Sequence, residues 1–226
     1  LLNRITVDTP PTLQAILLTP TRELAQQIVA QAVKPLAAHM PGLQVEVGIA
    51  GSAARGPIHA HLVVGTPGKV VDWLKRKQLN TRTCQTYVLD EADTMVGTHR
   101  ANSLLVHQRL PPTCQRLLFS ATFSTETLDF CAKLTRRYCP RVLLNADATT
   151  NATDIPTGLC LDIIKQLWID TREYKDGGPV EFLADIYALL TIGQSIVFVA
   201  TKKEADQVHT TLETAGYTCS VLHSGV

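Results

Sequence analysis

No charge of either sign dominates this 226-residue sequence: 21 Lys+Arg stand against 20 Asp+Glu, a net of +1. A global basic field that would advertise nucleic acid or an anionic membrane is therefore missing, although a local patch can still bind phosphate. Long apolar runs are missing too. None reaches the roughly 18 residues of a membrane span, and the opening LLNRITVDTPPTLQAILL has no basic stretch leading into an apolar core and cleavage site. The expectation is a soluble, intracellular chain without a membrane partner. The six cysteines include no C-x-x-C, which sets aside zinc sites and a disulfide scaffold in favour of buried reduced thiols. The seven histidines show no ligand spacing, and no repeat of solenoid length occurs. With 45% hydrophobic and 18% charged residues the composition is that of a globular chain, and the length leaves room for two domains.

Apolar runs of strand length recur at 15–18, 45–49, 62–64, 87–89, 116–119, 163–169, 195–199 and 218–222. Several are continuous rather than alternating, as in strands covered on both faces. Helical patterns lie between them, at 22–38, 69–75, 103–109, 125–137, 180–190 and 202–215. Such alternation predicts an α/β fold with a mostly parallel sheet. At 145–158 the pattern lapses into NADATTNATDIPTG, polar, small and without periodicity, which reads as an interdomain linker. Residues 1–145 are expected as one domain, 146–160 as the linker and 161–226 as a second domain. Trp73 and Trp168 lie on helical and strand patterns and are read as packing residues.

Four strand-to-helix junctions carry chemistry. Tyr87-Val88-Leu89 runs directly into Asp90-Glu91-Ala92-Asp93. Beyond the carboxyl end of a parallel strand, an Asp can hold a hydrated Mg²⁺ and its neighbour can orient or deprotonate a water. The same four residues also suit a solvated acidic turn opening a helix. Leu117-Leu118-Phe119 ends in Ser120-Ala121-Thr122, whose hydroxyls can bond to Asp93 and to nearby backbone. Leu18-Thr19-Pro20-Thr21-Arg22 and Gly65-Thr66-Pro67-Gly68-Lys69 share a design of strand, Thr-Pro and helix. Each offers a helix N-terminus, a hydroxyl and a cation, a set suited to a phosphate backbone. Gly65-Thr66-Pro67-Gly68-Lys69 is not a P-loop, because the spacing is G-x-x-G-K and Val70 follows.

Pro20-Thr21-Arg22-Glu23-Leu24-Ala25, Thr66-Pro67-Gly68-Lys69, Asp90-Glu91-Ala92-Asp93 and Ser120-Ala121-Thr122, in this order and spacing, resemble the DEAD-box ATP-dependent RNA helicases. Residues 195–201 and Leu222-His223-Ser224-Gly225 look like early motifs of that family's second RecA-like domain. Arg55-Gly56, Val71-Asp72-Trp73, Ile164-Lys165-Gln166 and the stretches 114–124 and 187–198 look most like its nuclear-pore mRNA-export branch. The resemblance implies an α/β chain of two RecA-like parallel-sheet domains, both incomplete, joined by a flexible linker. It implies a hydrolase that uses ATP and Mg²⁺ to unwind short RNA duplexes or remodel RNA-protein complexes. Its partners would be RNA, gripped independently of sequence, and nuclear-pore or mRNA-export factors. The whole would be a monomer in cytoplasm and nucleus, including the nuclear pore.

Carried over residue by residue, Asp90 would hold Mg²⁺ through water and Glu91 would activate the attacking water. Asp93 would couple to Ser120 and Thr122. Pro20, Thr21, Arg22, Gly51, Thr66, Pro67 and Gly68 would line the RNA path on the first domain, and Thr201 and Gly225 on the second. Departures are Lys69, where the family usually has Arg, and Gly51-Ser52, where it usually has a glycine pair. Nothing matches the family's adenine-reading segment, P-loop or late arginine motifs, so the chain reads as a fragment that is inactive alone. The competing expectation is a catalytically silent RNA clamp or scaffold that keeps the helicase fold.

Overall fold

The computed structural model describes residues 1–52, 56–135, 139–140, 142, 164–165, 167–171, 178–190 and 193–223. The chain divides into two units, Leu1–Thr157 and Gly158–Val226. The boundary lies inside the expected linker, whose residues fall outside the described ones.

The first unit is built on β1 (Ala15–Leu18), β2 (Val45–Gly48), β3 (Leu62–Gly65), β4 (Thr86–Leu89) and β5 (Gln115–Leu118). They form one parallel sheet in the order β2-β3-β1-β4-β5. Successive side chains of a strand point to opposite faces. Ile16, Leu18, Val63, Tyr87 and Leu89 accordingly enter one core cluster, while Ala15, Leu62 and Val64 enter the other. The inner strands β3, β1 and β4 are buried on both faces, which is why their sequence runs are continuous, whereas the edge strands β2 and β5 carry Glu46, Gln115 and Arg116 and are only partly buried.

Helical chain covers both faces. After β1 come α1 (Arg22–Ile28), a π-helical stretch (Val29–Val33) and α2 (Lys34–Ala37), in place of the single helix expected over 22–38. The cause is Pro35, which has no amide to donate and whose ring would meet the carbonyl of Gln31 in a regular helix. The wider turn, with the Lys34 amide donating to the Val29 carbonyl, absorbs that conflict. On the other face lie α3 (Pro67–Lys75), α4 (Ala92–Gly97), α5 (Arg100–Gln108) and α6 (Thr125–Leu134). Trp73, Val70, Val106, Phe130 and Leu134 are buried against Ile16, Leu18 and Leu89 in one cluster. The chain ahead of β1 is tied down by His61, which is fully buried. Its Nδ1 accepts from the Gln44 amide at 2.9 Å, and its Nε2 lies 3.0 Å from the Asp8 carboxylate.

The second unit holds α7 (Pro179–Leu189) and α8 (Lys202–Thr214). Val208 and Leu212 are buried, and the Tyr187 and Tyr217 rings meet edge to face at 5.3 Å. No strand forms at 195–199 or 218–222, nor among the described residues of 163–169. That corrects three strand expectations. At 195–199 exposure alternates with the two-residue period of extended chain: Ile196 and Phe198 are 81% and 89% exposed, Val197 and Val199 38% and 39%. The segment is apolar on both faces and exposed on both, one less than the other, and without a paired neighbour among the described residues an extended run has no ladder to make it a strand. Trp168 is 86% exposed, so its packing role fails for the same lack of cover; Trp73 is fully buried as read.

The tightest backbone approach in the sheet is between β2 and β3. A Cβ at Gly65 would lie 2.2 Å from the Gly48 carbonyl oxygen, and one at Gly48 would lie 2.7 Å from the Trp73 ring. Gly65→Ala should therefore cost about 2 kcal/mol or more through overpacking, read as a lowered urea midpoint. Gly97→Ala, where nothing lies within 4 Å, should stay within about 0.5 kcal/mol of wild type.

Candidate active site and nucleic-acid interface

The parallel register aligns Gly48, Gly65, Leu18, Leu89 and Leu118 in one row across the sheet. Hydrogen bonding continues one residue past that row. The Thr66 amide donates to the Gly48 carbonyl, Thr19 to Gly65, Asp90 to Leu18 and Phe119 to Leu89, all at 2.9–3.0 Å. Every junction singled out in the first unit thus leaves the sheet along the same carboxyl edge, the edge where open α/β sheets bind ligands.

Glu91 is the only acidic residue among the described ones with a left-handed backbone, at φ 51°, ψ 55°. A side chain there costs on the order of 1–3 kcal/mol and persists only where its surroundings impose it. The imposition is visible on both sides. The Asp90 amide is held by the Leu18 carbonyl at 3.0 Å, and the Ala92 amide by the Phe119 carbonyl at 2.9 Å. Glu91 is the corner between two anchors, and α4 starts immediately after it. The sequence allows an acidic turn opening a helix here but gives α4 no bounds and does not show this corner: a six-residue helix leaves too little periodicity to see, and no residue type marks a strained acid.

Three carboxylates share this corner. Partial burial first, and then the charges of Asp90 and Asp93, hold the Glu91 carboxyl above its ordinary value. For Asp93, burial acts upward but is outweighed by hydrogen bonds from Thr122, the Thr94 amide and Ser120, so its carboxyl stays below the ordinary value. The Thr122 hydroxyl donates to Asp93 Oδ2 at 2.5 Å, and the Asp93 amide donates to Ser120 Oγ at 3.2 Å. Ser120 in turn donates to the Thr122 carbonyl at 2.8 Å. Asp90 Oδ1 accepts the Glu91 amide at 3.1 Å. Among the described residues no group of three or more His, Cys, Asp or Glu is placed to ligate an ion directly.

The two Thr-Pro junctions differ in detail. Thr21 caps α1, its hydroxyl accepting the Leu24 amide at 3.2 Å, and Thr19, fully buried, donates to the Thr21 carbonyl at 2.9 Å. Thr66 does not cap α3; its hydroxyl reaches 3.5 Å back to the Gly48 carbonyl. Pro67 is buried and Gly68 exposed. Arg22 is exposed and paired with Glu23 at 3.3 Å, whereas Lys69 is paired with Asp72 at 3.6 Å and lies over the Trp73 ring at 5.6 Å. Pro20 is half-buried between Thr19 and the exposed Thr21. Gly51 adopts φ +88°, a conformation that favours glycine. It borders a groove of about 570 Å³ that also touches Lys34 and Val29.

In the second unit Thr201 caps α8. It accepts the Glu204 amide at 3.2 Å, while the Glu204 carboxylate accepts the Thr201 and Ala200 amides at 3.0 and 3.1 Å. This capping box was legible as Thr-x-x-Glu and was not read. Gly225 lies outside the described residues.

A five-stranded parallel sheet with helices on both faces and acidic and hydroxyl motifs on its carboxyl edge is a RecA-like domain. The sequence profile of the DEAD/DEAH box helicases matches residues 1–130, and the chain belongs to that family. It is 38% identical over 226 residues to the ATP-dependent RNA helicase DBP5 of Meyerozyma guilliermondii, covering 99% of this chain and 44% of that protein. Among solved structures it resembles S. cerevisiae Dbp5 bound to RNA and ADP BeF3, with TM-score 0.78, 32% identity and coverage of 100% of this chain and 54% of that one. It also resembles a variant of S. cerevisiae Dbp5 bound to Nup159, a Gle1 variant, IP6 and ADP, with TM-score 0.63, 31% identity and coverage of 100% and 56%. The chain thus spans less than half the length of its curated relative.

The two shifted carboxyls should respond oppositely to their neighbours. Asp90→Asn removes a like charge and should lower the Glu91 pKa. Thr122→Val removes a donor and should raise that of Asp93. Carboxyl-carbon NMR titration reads both. The signs carry to stability: the small contribution of the largely exposed Asp93 is present at neutral pH and lost as pH falls below the ordinary carboxylate range. For Glu91, stability is present below its unfolded-state pKa and lost as pH rises through the raised folded one.

Proposed function

We propose that this chain is the core of an ATP-dependent RNA helicase that couples ATP hydrolysis to local RNA unwinding or RNA-protein remodelling in mRNA export. One observation carries the reading: Asp90 and Glu91 end β4 on the sheet edge where Asp93 is hydrogen-bonded to Ser120 and Thr122 beyond β5. The raised Glu91 carboxyl suits a general base, since a base works best with a pKa nearer the working pH. Its strained corner fixes where that carboxyl starts from. Asp90, beside two further carboxylates, fits a divalent cation, because uncompensated negative oxygens are what Mg²⁺ seeks. With few direct ligands in reach, that cation would be held through water. Bound Mg²⁺ would supply charge neutralisation on the phosphates. The Asp93–Thr122–Ser120 chain would transmit a change at the acidic corner to the end of β5.

Along the β2-β3-β1 side, the Thr66-Pro67-Gly68 and Pro20-Thr21-Arg22 junctions and Gly51 would contact the RNA backbone. They offer hydroxyls, amides and one exposed cation, Arg22, rather than base-reading forks. Thr201, whose hydroxyl is occupied in its cap, would contribute mainly by starting α8 in the right place, and Gly225 would complete that side. The phosphate cradle and arginine finger would come from sequence other than these 226 residues, which carry no P-loop. The similarity to Dbp5 supports nuclear-pore factors as partners and residence in cytoplasm, nucleus and pore.

In the full-length product of the gene, Glu91→Gln should lower RNA-stimulated ATP turnover by about 10² or more while RNA binding is retained. Colorimetric phosphate release and fluorescence anisotropy with single-stranded RNA measure the two. A wild-type protein that binds RNA without turnover at any RNA load would instead be a clamp.

A further inference from the structure

At the opposite end of β4 and β5 from the acidic corner lies an edge of the reverse charge. Segments 1–6, 76–89 and 107–118 carry six Lys or Arg, at Arg4, Arg76, Lys77, Arg82, Arg109 and Arg116, and no Asp or Glu. Hydrogen bonds gather these segments where the strands begin. The Gln115 amide donates to the Gln85 carbonyl, and the Gln85 amide to the Gln14 carbonyl ahead of β1, both at 2.8 Å. The Thr81 hydroxyl donates to the Arg109 carbonyl at 2.5 Å, which sets Arg82 beside the end of α5. Arg4 donates to the Gln115 side chain, and Arg116 to the carbonyls of Pro111 at 3.3 Å and Pro112 at 3.2 Å. Helix α3 leaves the carboxyl edge and the chain returns to the start of β4, so Arg76 and Lys77 at its end lie toward the same edge.

Most of this charge is uncompensated. Arg76 is paired with Asp72 at 2.8 Å. Among the described residues no carboxylate pairs with Arg4, Lys77, Arg82, Arg109 or Arg116, and the first four are exposed. Lys77 has, beside Glu91, the only left-handed backbone of any described residue other than glycine, at φ 57°. It follows the last turn of α3, a place where glycine or asparagine is usual, and the next amide, that of Gln78, turns back to the Trp73 carbonyl at 2.9 Å. A lysine there accepts a strain that glycine would avoid. The attraction of cations to helix C-termini accounts for Arg76, Lys77 and Arg109. It does not account for Arg82 or Arg116, which stand outside any helix.

We propose that this amino edge is a second RNA-binding surface, on which Arg4, Lys77, Arg82 and Arg109 hold the phosphate backbone independently of sequence. The proposal rests on the reading of the chain as an RNA helicase core. Its chemistry favours phosphate over an acidic protein partner. Protein interfaces are anchored by aromatic and aliphatic side chains, and none of the exposed large hydrophobic residues falls in the described residues of these three segments. A phosphate backbone needs only cations and neutral polar groups, which the exposed Gln85 and Thr113 supply between the arginines. Arg116, already donating to carbonyls, fixes the 111–114 turn rather than the ligand. An anchor at this edge keeps RNA on the protein while the carboxyl edge lets go.

The test is fluorescence anisotropy of the chain with a labelled single-stranded RNA of about 25 nucleotides, repeated over a salt series. Arg82→Gln/Arg109→Gln should weaken binding roughly tenfold at low salt and flatten the slope of log K against log salt by about 1.4, the single-strand value for two phosphates. Lys77→Gly, which keeps the left-handed turn and removes only the cation, should flatten it by about 0.7. Lys165→Gln/Lys203→Gln takes the same charge from the second unit and should leave the slope unchanged. Arg22→Gln tests the carboxyl edge separately: if it has no effect while the amino-edge variants weaken binding, the helicase reading loses its RNA path and the amino-edge surface stands. Three results would overturn the surface: amino-edge variants that bind RNA like wild type, a loss no larger than that of the second-unit pair, or polyglutamate binding more tightly than RNA through Arg82 and Arg109, which would make the partner an acidic protein.

Discussion

Everything functional in the first unit depends on one row of backbone hydrogen bonds. Where β2, β3, β1 and β4 stop, each strand's last carbonyl is taken by the amide of the first residue beyond the next strand in the sheet, four bonds running from Gly48–Thr66 across to Leu89–Phe119. A junction held on one side only would be a loop free to wander. Held by its neighbour's carbonyl, it presents its next side chain from a fixed place. The row also explains why glycine is required at 48 and 65. The approach that lets Thr66 bond to the Gly48 carbonyl leaves no room for a side chain at 65, and the Trp73 ring fills the place of one at 48.

Strain at Glu91 follows from the same row. Asp90 is drawn to the β1 side by Leu18 and Ala92 to the β5 side by Phe119, so the residue between them must turn sharply. Glycine would turn more cheaply. Glutamate there accepts a strained backbone and two like-charged neighbours, both destabilising. Their coincidence on one residue is more simply explained by chemistry than by architecture, because a solvated acidic turn opening α4 would need neither. Asp93 has the opposite settlement: its charge is satisfied by the Thr122 hydroxyl and the Thr94 amide, and its own amide is held by Ser120, which makes it a connector rather than a reactive group.

How much of this could be read from sequence depended on how many residues carried each signal. The three inner strands were legible because burial on two faces demands continuous apolar runs, the edge strands β2 and β5 from shorter apolar content, and the motif residues as types and order. The π-helical turn was signalled only by Pro35, one residue inside an otherwise good helical pattern. The α4 helix had six residues and no periodicity to show. The spacing of Thr201 to Glu204 describes a helix cap, a signal that stands beside its expected RNA contact.

The second unit shows the converse, a signal that was legible and did not suffice. Residues 195–199 have the apolar content of a strand, and all five border the cleft of about 1170 Å³ that also touches Val208, Leu212 and Tyr217. Pattern alone chooses which faces are apolar. A strand also needs its amides and carbonyls taken by a neighbour, and that partner is specified by another segment, not by the run itself. In the first unit each apolar run had such a neighbour and became a strand. Here Ile196 and Phe198 remain exposed. The same physical rule therefore accounts for both halves: hydrophobicity decides what an extended segment wants to bury, and pairing decides whether it becomes part of a sheet.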